Sequence, residues 1–141
     1  MNKEKVLALF EDANFIKKIG IKPVRVKEGS VKTKLDINHF HLQQHQFIHA
    51  AVLTAIADHS AGAAGTTLIN DDEEVLTVEF KINFLRPAFG KTLYCDAKVI
   101  RAGKMILVAE SEVYSREYGK QKMFAKALVT LAVVKKSKIL Q

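Results

Sequence analysis

The stretch from about Phe47 to Leu68, FIHAAVLTAIADHSAGAAGTTL, most limits how this chain can fold. Its apolar residues fall all round a helical wheel rather than on one stripe, the pattern of a buried helix. Ala50, Ala51, Ala55, Ala57, Ala61, Ala63 and Ala64 leave that helix, of roughly five turns, almost smooth. A sheet can close tightly around a cylinder with so few protruding side chains. The remaining segments must therefore supply a wrapping sheet.

They have the required period. Val24 and Val26, then Val31, Thr33, Leu35 and Ile37, alternate on either side of a Glu28-Gly29-Ser30 turn and predict a hairpin. From Val75 the period is two again. Leu76, Val78, Phe80, Ile82 and Phe84 are expected on one face, with Thr77, Glu79, Lys81 and Asn83 on the other, up to Pro87. Further strands are expected at about Thr92–Ile100 and Met105–Ser115, joined by an Arg101-Ala102-Gly103-Lys104 turn. A last strand, about Gln121–Val134, follows the Tyr118-Gly119-Lys120 turn. Helically spaced apolar positions from Val6 to Ile16 predict an N-terminal helix within residues 1–19, and residues 135–141 read as a basic tail. The expectation is one α+β domain over residues 1–141: an antiparallel sheet curled round one central helix. An edge strand would remain, and such edges commonly pair with a second copy.

Composition narrows the function. With 48% hydrophobic residues in 141, a substantial core is available. No apolar run reaches the ~18 residues of a membrane span, and the first residues lack the apolar core of a signal peptide. The expected location is the cytoplasm, with no membrane partner. Cys95 is the sole cysteine, which rules out an internal disulfide and argues against a cysteine-ligated metal; no metal or redox cofactor is expected. The net charge of +7 is scattered as single lysines, without a basic stripe or interleaved aromatics, so a nucleic-acid partner is not expected. A small phosphate-bearing ligand suits the same charge.

Asp58 is the residue this scheme does not absorb. A mid-helix aspartate ordinarily marks a solvated face, yet Ile56, Ala57, Ala61 and Ala64 around it suggest no wet stripe. Buried carboxylates are costly unless partnered, and such groups concentrate where chemistry is done. His49 could equally be a hydrogen-bonded structural residue, as could His39, His41 and His45. On a helix His49 and Asp58 are separated by about 13 Å of rise and half a turn of rotation. One chain cannot bring them together; two antiparallel copies of the helix could.

These residues and the later strand resemble a known family. Gln43-Gln44-His45-Gln46-Phe47-Ile48-His49-Ala50-Ala51, then Ala57-Asp58, then Phe80-Lys81-Ile82-Asn83-Phe84-Leu85-Arg86-Pro87-Ala88, look like a hotdog-fold acyl-CoA thioesterase of the phenylacetate-pathway (PaaI-like) type. The likeness runs from about Ile21 to Val133. It implies that Asp58 acts as general base or nucleophile, and that the Ala50 N–H binds the oxyanion. His49 would sit against the thioester, Gln43 would orient water or carbonyl, and Thr77 would help hold the water. For coenzyme A it implies Phe84 and the Arg101, Ala102, Gly103 and Lys104 turn, with the two cations on the phosphates. It further implies a homodimer or a homotetramer built as a dimer of dimers, with acyl-CoA as substrate.

Two departures stand out. Ala50 and Ala51 replace the usual double glycine, adding methyl groups where substrate passes closest, and Gln43 replaces the commoner Asn. The oxyanion donor and the amide chemistry survive both. Two other readings compete: a non-catalytic acyl-CoA-binding module or sensor, and a hotdog-fold hydratase. A sensor usually carries a DNA-binding segment, for which the short N-terminal helix is too small. A hydratase would carry its acidic residue and histidine a few residues apart before the helix, whereas Asp58 lies well inside it.

Overall fold

In the computed structural model, residues 1–139 are described. The chain runs α1 (Lys3–Glu11), α2 (Asn14–Ile19), β1 (Lys22–Lys27), β2 (Ser30–Asp36), a 3₁₀ turn (His39–His41) and α3 (Ala50–Thr66). Then come β3 (Glu73–Phe84), β4 (Thr92–Ala102), β5 (Ile106–Glu117), β6 (Lys120–Lys135) and α4 (Lys136–Ile139). The expected α+β fold is present: a six-stranded antiparallel sheet wrapped around α3. The small residues of α3 permit this close wrap. Ala57, Ala61, Ala63 and Ala64 are buried, and a Cβ on Gly65 would lie 2.8 Å from Leu131 Cδ1.

The strand order is β1-β2-β4-β5-β6-β3. β3 therefore crosses the sheet to pair with β6 and forms an edge, although it precedes β4 in sequence. Its outer rim carries exposed apolar residues, Val78 at 59% and Leu76 at 48% among them. A long apolar edge of this kind is a template for another strand.

Several expectations need correction. The single N-terminal helix is two: α1 ends at an αR Asp12 cap and α2 at Gly20, whose φ of 100° suits glycine. The expected Arg101–Lys104 turn is shorter, because β4 continues through Arg101 and Ala102 after a bulge between Val99 and Arg101. The basic tail is partly structured. Lys135 closes β6 and bridges Asp72 and Glu73 at 2.9 and 3.1 Å, while Lys136 begins α4 and pairs with Glu74. Residues 140 and 141 of that tail lie outside the described residues.

The face assignment of β3 also changes. A bulge between Thr77 and Glu79 inserts one residue into the pairing with β6. Thr77 opposes Leu131, and Phe80, Ile82 and Phe84 oppose Val129, Ala127 and Ala125, all on the helix side of β6. Thr77 is therefore on the helix-facing side together with those apolar residues, not on the polar face with Glu79 and Lys81.

Candidate active site

The start of α3 is shaped by its cap. His49 is extended (φ −61°, ψ 137°), and its Nδ1 accepts a hydrogen bond from the Ala51 N–H at 2.9 Å. An accepting Nδ1 puts the proton of the neutral ring on Nε2, leaving a donor on the exposed side of the imidazole. The His49 carbonyl accepts from Val52 N–H at 2.9 Å. The Ala50 N–H, first of the helix, has no partner among the described residues and sits at the positive end of the helix dipole.

Around this cap lies an open groove of about 610 Å³ lined by Gln43, Phe47, His49, Ala50, Leu53 and Phe84, with Leu85 to Ala88 along its rim. Gln43 is held by its own loop, its Oε1 accepting from the His45 N–H and its backbone N–H donating to Phe47. Its amide NH₂ has no partner among the described residues and is free to act outward. His41, by contrast, is structural: it is buried, accepts from Asn38 N–H through Nδ1 and bonds the Ile19 carbonyl at 2.7 Å through Nε2.

Asp58 does not line this groove. It lies nine residues along α3, about 13 Å away in rise, where Thr77 Oγ1 donates to its Oδ1 at 2.8 Å. It is half-buried rather than buried. One side of α3, carrying Ala51, Ala55, Asp58 and Gly62, stays open in the single chain, which the composition of the helix did not suggest. A carboxylate fixed by a hydroxyl and still reachable by water can accept a proton from that water.

The site residues expected from the sequence thus fall into separate groups. Gln43, His49, Ala50 and Phe84 share the groove at the Phe84 end of β3, and Asp58 and Thr77 meet farther back along the strand, toward its Glu73 end. Arg101, Ala102 and Lys104 are exposed beyond the Asp58 end, since β5 pairs Ile106 with Ala132, which in turn opposes Leu76. Gly103 has a local reason to be glycine: a Cβ there would lie 2.7 Å from the Ile106 carbonyl oxygen, which its own N–H bonds.

His59, beside Asp58, is a residue the sequence reading passed over. Its Nε2–H donates to the Leu9 carbonyl at 3.0 Å and its ring meets Phe10 edge-on at 4.9 Å, pinning α1 to the central helix. Burial pushes its pKa below the usual histidine value, against the opposing effects of the Leu9 bond and of Asp58. The larger cleft of about 700 Å³ lies under α1 between Lys5, His59 and Glu74, away from both halves of the site. Among the described residues no cluster of His, Cys, Asp or Glu is placed to hold a metal ion.

A curled antiparallel sheet wrapped round one central helix is the hotdog fold of thioester hydrolases. Residues 45–121 match the model of the thioesterase superfamily, and the chain belongs to that superfamily. A thioesterase family protein from Silicibacter pomeroyi is 29% identical with a TM-score of 0.91, over 94% of this chain and 98% of that one. The PaaI protein of the E. coli phenylacetic acid degradation operon shares the fold at 24% identity and a TM-score of 0.82, over 94% and 92% of the two chains. A thioesterase from Haemophilus influenzae does so at 21% and 0.82, over 96% and 92%.

Proposed function

We propose that this protein hydrolyses acyl-CoA thioesters at a site shared by two copies of the chain. The observation that carries this reading is the division of the site along β3. The groove with its free Ala50 N–H lies at the Phe84 end, and the Thr77-held Asp58 carboxylate farther back toward the Glu73 end. Two β3 edges pairing antiparallel about a two-fold axis would bring the Thr77 end of one strand beside the Phe84 end of the other. Two complete sites follow from two half-sites, and the apolar rim of β3 is covered. Dimers of this kind could pair again into a tetramer.

In that arrangement the thioester lies between the Asp58 carboxylate of one chain and the α3 start of the other. Asp58 removes a proton from water as it attacks the carbonyl carbon, or attacks that carbon itself. Thr77 holds the carboxylate in place. Negative charge develops on the carbonyl oxygen, and the Ala50 N–H, backed by the helix dipole, stabilises it. The His49 Nε2–H and the Gln43 NH₂ are further donors along the groove. With water as the attacking group, the C–S bond then breaks, the proton held by Asp58 passes to the departing coenzyme thiolate, and the free acid leaves. With Asp58 attacking, C–S cleavage leaves an acyl–Asp58 anhydride, which water hydrolyses to the acid while its proton passes to the thiolate. Phe84 would flank the substrate, while Arg101 and Lys104 would meet its phosphates, Ala102 and Gly103 holding the turn between them. A cytoplasmic enzyme would encounter such substrates.

The test is thiol release from a panel of aryl-acyl, short and longer aliphatic CoA esters by wild type and Asp58→Asn. Loss of general-base catalysis should lower kcat by about 10²–10⁴, with folding and assembly retained. Mixing Asp58→Asn with a groove variant such as Ala50→Pro should restore activity through hybrid dimers carrying one intact site. No restoration in demonstrably mixed dimers would refute the shared site.

A further inference from the structure

A smooth helix packs closely but is poorly indexed, because alanines present few ridges to lock its rotation. Beneath α3 this is offset by a chain of polar side chains in an otherwise apolar interface. Thr33 on β2, Ser60 on α3, Cys95 on β4 and Ser111 on β5 are all fully buried. Thr33 Oγ1 and Ser60 Oγ are 2.7 Å apart, and Ser111 Oγ donates to the Ala57 carbonyl at 2.7 Å. Burial pushes the Cys95 thiol up to about 12, against the opposing effects of Ser60 and Ser111, so it stays protonated beside them. Two hydrogen bonds thus tie α3 to the sheet here, Thr33–Ser60 from β2 and Ser111–Ala57 from β5, with the Cys95 thiol of β4 between those strands. They grip α3 at two neighbouring points, Ser60 and Ala57, the latter being the residue before Asp58.

Resting on the proposed hydrolysis by Asp58, we infer that this buried seam sets the rotation of α3, making Thr33, Ser60 and Ser111 positioning residues for the carboxylate. None of them reaches the substrate. They act by fixing the helix azimuth that presents Asp58 to Thr77. Buried polar groups are retained for registry of this kind in other folds. The lever is long: a side-chain tip about 6 Å from the axis moves by about 1 Å for each 10° of rotation. A 1 Å misplacement in an active site can cost about 10²-fold in rate.

The experiment compares Ser111→Ala and Thr33→Val with Val129→Ala, a core truncation on β6 outside the seam, in the active acyl-CoA assay. The seam variants should lose about 10-fold or more in kcat with KM unchanged, and Thr33→Ser, which keeps the hydroxyl, should retain activity. Val129→Ala should lose thermal stability with kcat per folded molecule near wild type. The Asp58 ¹³Cγ resonance should shift in both seam variants in the direction seen for Thr77→Val. If Ser111→Ala does not fold, Thr33→Val and Ser60→Ala test the other end of the seam. Seam variants that match Val129→Ala in kcat at equal stability, with the Asp58 resonance unmoved, overturn the inference. Asp58→Asn separates the two levels. If it retains activity, the hydrolytic role of Asp58 fails, and the resonance shift alone decides the seam.

Discussion

Ala50→Pro is the substitution that isolates the proposed oxyanion donor. Proline removes one N–H, usually at a high structural cost, but the first position of a helix is where it is favoured. His49, the preceding residue, already has the ψ of 137° that a following proline requires. The Ala50 N–H has no partner among the described residues, so no native hydrogen bond is lost. Folding should therefore be unchanged or stabilised by about 0.4–1 kcal/mol, through a less flexible unfolded chain. Removing an oxyanion donor costs about 10²–10³ in kcat, or about 2.7–4 kcal/mol of transition-state stabilisation. The assay is thiol release at saturating acyl-CoA, with KM read separately because the ring borders the groove, and thermal denaturation beside it. Ala50→Gly keeps the N–H and should keep kcat. A folded Ala50→Pro enzyme with wild-type kcat would refute the assignment of this N–H.

Other consequences are as direct. Arg101→Ala with Lys104→Ala should raise KM for acyl-CoA and leave kcat nearly intact, because phosphates are held alike in ground and transition states; an unchanged KM would reduce that hairpin to a turn. Gly65→Ala should lower the melting temperature, since its Cβ would sit 2.8 Å from Leu131 Cδ1 and 3.2 Å from Leu107 Cδ1. Overpacking of about 1–3 kcal/mol outweighs about 1 kcal/mol of helix propensity, and an unchanged melting temperature would show that both leucines can move aside. His59 adds pH dependence: its pKa is lowered on folding from 6.5, so the unfolded chain binds more protons. That stability is present above about pH 6.5 and lost as pH falls through the folded value, and melting curves of His59→Gln should show a flatter acid limb than wild type.

Much of the fold was legible because one element left so few alternatives. A helix apolar all round and nearly all alanine needs a wrapping sheet, and the period-two segments on either side supplied it. The Glu28-Gly29-Ser30 turn was legible for a local reason, with Gly29 at a φ of 73°. What escaped depended on distant partners. Lys135 and Lys136 read as a solvated tail because Asp72, Glu73 and Glu74, which they bridge, lie more than sixty residues earlier. The edge position of β3 escaped because neighbouring strands in sequence are the usual neighbours in space, and here β6 takes the place of β4.

The candidate site residues could be named from the sequence, but where the fold places them could not, for a reason that rests on one residue. Strict alternation assigns Thr77 to the face of Glu79 and Lys81, away from the helix. A side-chain period of two means that one inserted residue exchanges the faces of everything beyond it. With no bulge, β3 could turn Thr77 toward α3, or Phe80, Ile82 and Phe84, but not all four. The bulge at Val78 lets the strand do both, carrying a hydroxyl to Asp58 and the Phe84 ring to the groove. No glycine marks it, so no local signal in the sequence betrays it. The same bulge explains why Asp58 tolerates a mostly apolar helix: its partner Thr77 comes from the sheet edge, and in the proposed dimer a second β3 strand would close that edge.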